Sequence, residues 1–208
     1  TTGSIRPMGM RYLVSQIKAS IDNTIGVHCH DDFGLAVANS LAAFEAGARA
    51  ISTSMNGLGE RAGNASLEEI ILGLRLLYGI EMPFKYEVIY ELSRLVEKYT
   101  TMPVPKNKAV IGDNVFAHES GIHVLAVRAE PLTYEPYSPE FVGQKRRIIL
   151  GKHCGMSCID AKLEELRLSV PQSEKETLIL KIKEMAERGA KVGDKEFKNM
   201  VQEILSKG

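Results

Sequence analysis

Between residues 24 and 54 the hydrophobic period changes twice, which constrains the fold more than any other feature of the chain. Residues 24–30 alternate, with Ile25, Val27 and Cys29 set against Gly26, His28 and His30, the two-residue period of a strand. Residues 35–46 are Ala-rich and apolar nearly all round, which suits a packed helix, and Gly47 ends it. Residues 50–54 form a second short strand. Two strands joined by one helix make a βαβ unit, with parallel strands and a right-handed crossover. Upstream, Pro7 opens a helix, because its fixed φ suits the first turn, and Met10, Leu13, Val14, Ile17 and Ile21 then share one face. The first half therefore reads as α/β.

A Gly-rich loop follows the second strand, running Asn56-Gly57-Leu58-Gly59-Glu60-Arg61-Ala62-Gly63-Asn64. Ser66-Leu67-Glu68-Glu69 has the spacing of a capping box and starts a helix that extends to Tyr78. Another helix spans 86–99, with Ile89, Leu92, Val96 and Tyr99 on its inner face. At Thr101 the texture changes, since Met102-Pro103-Val104-Pro105 is extended and linker-like. A helix is expected to carry residues 118–123, followed by a Pro-rich loop, an apolar run at 148–150 and three helices at 157–167, 173–188 and 194–206. This reading gives three parts: 1–100, 101–152 and 153–208.

The 208 residues carry 26 Lys+Arg against 26 Asp+Glu, so no basic excess points to nucleic acid or an anionic membrane as partner. No apolar run approaches the roughly 20 residues of a bilayer crossing, and no charged-then-apolar leader opens the chain. A cytoplasmic protein is expected, with Cys29, Cys154 and Cys158 as reduced thiols.

The sharpest chemical signal is His28-Cys29-His30-Asp31-Asp32-Phe33-Gly34. Residues two apart on a strand face the same side, so His28 and His30 present two imidazoles together at the strand's C-terminal end. Two imidazoles plus one carboxylate, with positions left open, is a common plan for a catalytic divalent metal. Taken alone, an H-x-H is more often two hydrogen-bonded polar residues. Asp31 and Asp32 either orient the imidazoles or cap the next helix. Asn64 would reach the same rim as the two histidines. The Gly-rich loop lacks the spacing of a phosphate-binding turn.

These runs resemble the isopropylmalate synthase and homocitrate synthase family. Residues Val27 to Ala36 and Asn56 to Ala65 look like its second signature. Phe116-Ala117-His118-Glu119-Ser120-Gly121-Ile122-His123, Tyr134-Glu135-Pro136, Val142-Gly143 and Leu150-Gly151-Lys152-His153-Cys154-Gly155 match its downstream half in order. The resemblance implies a (β/α)8 TIM barrel followed by mainly helical subdomains, of which this chain carries the last strands and those subdomains. It implies condensation of acetyl-CoA with a 2-oxo acid in a homodimer. By position, His28, His30 and Asn64 are expected at a divalent metal (Zn, Mn or Mg), and His123 and Tyr134 correspond to the catalytic pair. His118 is expected to be a structural hydrogen-bonding residue. Lys145, Arg146 and Arg147 are read as a solvated surface, and His153 with Cys154 as a helix-entry turn.

The family's other signature, with a carboxylate ligand and a substrate arginine, has no counterpart here, and the chain opens Thr1-Thr2-Gly3. The expectation is a part of a longer enzyme, catalytically inactive by itself, binding metal weakly and self-associating through an open sheet edge. Homocitrate synthase is the favoured member, with isopropylmalate or citramalate synthase next and a metal-dependent acyl-CoA lyase more distant.

Overall fold

The computed structural model describes residues 2–119, 121, 126, 130, 133–190 and 192–206. The chain divides into two compact units, Thr1–Val115 and Phe116–Gly208.

In the first unit, helix α1 spans Pro7–Ser20 and helix α2 spans Ala36–Glu45, with strand β1 at Gly26–His28 before α2 and strand β2 at Ala50–Ser52 after it. The strands pair in parallel, in the register Gly26↔Ala50, Val27↔Ile51 and His28↔Ser52, so the expected βαβ unit is present. Both strands are shorter than their sequence patterns. Beyond His28 and Ser52 the pairing passes to isolated bridges, His30 with Asn64 and Ser54 with Ser66. Helix α2 buries Ala36, Asn39, Ser40, Ala42 and Ala43. Its two buried polar residues have partners: the Asn39 amide donates to the Ile5 carbonyl at 2.9 Å, and the Ser40 hydroxyl to Ala36 at 2.8 Å.

Periodicity misplaced two buried faces. On α1 only Val14 is buried, while Leu13 and Ile17, and Ile21 just beyond the helix, stay exposed. Helix α4, Ile89–Thr100, buries Ile89 and Ser93 rather than Leu92 and Tyr99, which are 39% and 78% exposed. The loop at Asn56 decides that orientation, since its side-chain amide donates to the Ser93 carbonyl at 3.1 Å. Helix α3, Leu67–Leu76, lacks the expected capping box and stops before Tyr78. The Ser66 hydroxyl instead accepts from Lys108 Nζ at 2.8 Å, and Lys108 also pairs with Glu69.

The second unit pairs strand β3, Ala117–His118, in parallel with strand β4, Arg147–Ile148. His118 therefore lies on a strand, not on the expected helix, and bonds from the Phe116 and His118 carbonyls to Arg147 and Ile149 hold it there. Helices α5 (Met156–Glu165), α6 (Gln172–Glu187) and α7 (Asp194–Leu205) follow, close to the sequence reading. They enclose a core containing Ile159, Leu178, Ile182, Phe197 and Val201. Among the described residues no helix is long and apolar enough to cross a membrane.

Candidate functional site

Alternation on β1 separates two kinds of side chain. Cys29 turns inward and packs in a core with Ala36, Ala65, Ile70 and Leu74. His28 and His30 take the other face, and their rings meet edge to face with centroids 4.8 Å apart. The β1–β2 register sets Ser52 beside His28, and its hydroxyl shares a 3.0 Å hydrogen bond with His28 Nδ1. A bond at one ring nitrogen fixes the ring and leaves the other for a ligand.

The Gly-rich loop brings the third residue. The Asn64 N–H donates to the Gly57 carbonyl at 2.9 Å, the Ala65 N–H to Cys29 at 3.2 Å and the Asp31 N–H to Gly63 at 2.9 Å. Asn64 is thereby bridged to His30. Its side-chain amide donates to the Leu58 carbonyl at 3.2 Å, and the whole carboxamide lies against Gly59. Glycine is required twice here. At Gly63 φ is +99°, and a Cβ would overlap the Gly57 carbonyl oxygen. A Cβ on Gly59 would overlap the Asn64 carboxamide.

Two buried atoms of this group have no hydrogen-bond partner, His30 Nδ1 and Asn64 Oδ1. Leaving a buried polar atom unpaired costs about 1–3 kcal/mol, and these two lie on the bridged pair His30 and Asn64. Two nitrogen donors and one amide oxygen are a chemically sound set for a divalent ion. Among the described residues no group of three or more His, Cys, Asp or Glu is placed to hold a metal.

The acidic pair divides its work. Asp31 accepts from the Ala36 N–H at 2.8 Å and caps α2. Asp32 receives Arg61 Nε at 2.7 Å and a second guanidinium nitrogen at 3.0 Å, and this two-pronged bond holds its carboxyl below the usual range. Beneath the loop lies the fully buried Glu68, one oxygen of which accepts from the Asn56 N–H at 3.1 Å, and burial pushes its carboxyl up. The Gly-rich loop also forms, with Met102 to Pro105 and Lys108, the wall of a cavity of about 270 Å³.

In the second unit His118 is buried and bonded to Glu135 at 2.9 Å, the structural role expected of it. Arg146 binds the same carboxylate through two nitrogens at 2.8 and 2.5 Å while staying exposed with Lys145 and Arg147, as the surface reading expected, and the bond to Glu135 is what that reading lacked. Tyr134, next to Glu135, is 44% exposed, and His123 lies outside the described residues. The His153 N–H donates to the Glu119 carboxylate at 3.2 Å just before α5, which is a helix-entry turn. Sequence reading missed both Asp32–Arg61 and Glu135–Arg146. A charge doublet and a basic triplet were visible, but no local period joins residues 29 or 11 positions apart.

Comparison with known proteins bears on the same residues. Residues 1–96 match the profile described as HMGL-like, and residues 110–190 match that of the homocitrate synthase post-HMGL domain. A homocitrate synthase AksA from Methanopyrus kandleri is 53% identical over 99% of this chain and 52% of its own length. That from Methanothermobacter thermautotrophicus is 50% identical over 98% of this chain and 52% of its own length. A 2-isopropylmalate synthase from Methanocaldococcus jannaschii is 48% identical over the whole of this chain and 41% of its own length. The chain spans about half the length of the curated relatives it matches. With the HMGL-like segment, the post-HMGL domain and the histidine and asparagine signatures in their order, the chain belongs to the isopropylmalate and homocitrate synthase family.

Proposed function

We propose that this chain provides the metal-binding rim and downstream subdomains of a TIM-barrel enzyme that condenses acetyl-CoA with a 2-oxo acid. The observation that carries the reading is the pair of buried, unpartnered acceptors, His30 Nδ1 and Asn64 Oδ1, beside the second imidazole of His28. Homocitrate synthase acting on 2-oxoglutarate is the favoured member, supported by the AksA relatives. The post-HMGL match favours a condensing enzyme over an acyl-CoA lyase. In this reading the parts 1–100, 101–152 and 153–208 act as barrel end, catalytic subdomain and helical subdomain of a homodimer.

His28, His30 and Asn64 would hold a divalent ion such as Zn, Mn or Mg. When bound, such an ion polarises the ketone of the 2-oxo acid and stabilises the alkoxide formed there. The remaining steps fall to side chains. His123 takes a proton from the acetyl methyl, a role that suits an imidazole. The methyl carbon then bonds to the keto carbon while the C=O electron pair moves to oxygen. Tyr134 holds the developing charge or a water through its hydroxyl, and water cleaves the thioester, releasing the CoA thiol.

The test is thiol release from acetyl-CoA by the full-length enzyme against a panel of 2-oxo acids. Turnover is expected to be highest with 2-oxoglutarate, lost in His28→Ala and His30→Ala, and kept in His153→Ala. A preference for a branched 2-oxo acid would favour 2-isopropylmalate synthase, the name of the 48%-identical relative. Release with none of them would overturn the condensing reading.

A further inference from the structure

We infer that Asp32 and Arg61 form a clasp that positions the metal donors, Arg61 acting through Asn64 and not on the metal or substrate. The inference rests on the metal reading of His28, His30 and Asn64.

The clasp joins two loops. Asp32 lies two residues beyond His30, and Arg61 lies at the tip of the Gly-rich loop that ends in Asn64. Backbone bonds hold the base of that loop, through Asn64 to Gly57 and Asp31 to Gly63. Leu58 is held as well, its N–H donating to Met55 and its carbonyl accepting from the Ser54 hydroxyl and the Asn64 amide, and the Gly63 N–H donates to Glu60, so the loop is a folded unit whose tip Arg61 links to the His30 loop. The Arg61 fork on both oxygens of Asp32, at 2.7 and 3.0 Å, closes the tip over the His30 loop. The backbone at Gly3 passes close to the same carboxylate, where a Cβ would stand 2.7 Å from Oδ2 and 2.9 Å from the His30 carbonyl.

Position, not stability, explains the pair. Its side chains are 44% and 21% exposed, a setting in which ion pairs contribute little to folding. Arg61 nevertheless holds a left-handed backbone, φ +55°, which a side-chain-bearing residue adopts at a cost. A residue strained at a weak surface pair is one whose placement the site uses. The fork also distinguishes Arg from Lys, since the planar guanidinium fixes direction as well as charge.

The sign of one substitution separates this from simple electrostatics. Arg61→Gly relieves the strained backbone and removes a positive charge near the site. On charge alone it should tighten cation binding. The clasp predicts the reverse, a loss of roughly tenfold, the range found when a partner that orients a metal ligand is removed. Arg61→Lys keeps the charge and loses the fork, and should weaken binding by a smaller factor.

Zn²⁺ titration of the full-length enzyme would be followed by the imidazole ¹⁵N shifts of His28 and His30, with the apo thermal midpoint measured in parallel. Weaker binding in Arg61→Gly at an unchanged or raised apo midpoint is the expected result. Equal or tighter binding in that variant, with wild type binding and His30→Ala not, would overturn the clasp alone. Absence of binding to wild type would overturn the metal reading on which it rests.

Discussion

Nε2 of His118 stands 2.9 Å from Oε1 of Glu135, a carboxylate only 1% exposed, and Arg146 closes on both of its oxygens from the other side. This ties β3 to the segment carrying Tyr134 and to the residue before β4. Burial opposes ionisation of Glu135, but the bonds from Arg146 and His118 outweigh it and keep the carboxyl below its ordinary range. Glu135→Ala would leave the guanidinium and imidazole facing an apolar gap. A loss of about 3 kcal/mol is expected, read from denaturant unfolding of the chain.

The same residue gives a pH dependence of known sign. Because its folded pKa is depressed, its contribution is present above the unfolded value of roughly 4.3 and is lost as pH falls through the folded one. The thermal midpoint should therefore drop more steeply between pH 5 and pH 3, the range on the order of that value, in wild type than in Glu135→Gln. Parallel curves for the two proteins would count against this.

Lys162 in α5, 5% exposed, reaches Glu165 at 3.0 Å and Asp194 at 2.6 Å, the latter in the first turn of α7. Burial works against its charge, and the two carboxylates more than compensate, so its pKa is raised. Its partners are far more exposed than the ammonium, 43% for Glu165 and 56% for Asp194, and can return to water. Asp194→Ala should therefore cost about 2 kcal/mol, more than Lys162→Met, which should stay within about 1 kcal/mol. Equal losses in chemical denaturation would refute the asymmetry.

Gly59 and Gly63 should fail differently. Gly63→Ala must shift backbone against backbone at a positive φ, so the loop itself is disturbed and the apo midpoint falls. Gly59→Ala meets the Asn64 carboxamide, a side chain that can turn aside. It should weaken Zn²⁺ binding several-fold while the apo midpoint moves little, and calorimetry with thermal melts measures both.

Cys29, Cys154 and Cys158 are free and 4%, 1% and 0% exposed. The Cys158 thiol hydrogen-bonds the Glu119 carbonyl at 3.2 Å, and its neighbour Cys154 holds it below the ordinary thiol value while being raised itself. Reactivity needs access as well as ionisation, so aromatic-disulfide labelling at pH 8 should be slow for all three until denaturant is added. Rapid native-state labelling of Cys158 would show that α5 opens at its start.

The parts legible in the sequence are those written in a local period. The two-residue alternation of Ile25, Val27 and Cys29 against His28 and His30 placed the core thiol and both imidazoles on their correct sides. The Gly-rich spacing brought Asn64 to the histidines. What escaped depends on partners distant in sequence. Leu92 and Ser93 are neighbours on α4, and Asn56 settles which of them is buried. Ser66 looked like a cap until Lys108 supplied a competing donor. The basic triplet does lie at the surface, but nothing nearby reveals the buried Glu135 that Arg146 binds.

The β1–β2 register settles more than pairing. A slip of one residue along β1 would exchange its two faces, sending His28 and His30 into the core and turning Cys29 out to the rim. A misregistered molecule would thus lose both imidazole donors at once and gain an exposed thiol. Register, imidazole placement and burial of the thiol are fixed together, and the accessibility of Cys29 reports on all three.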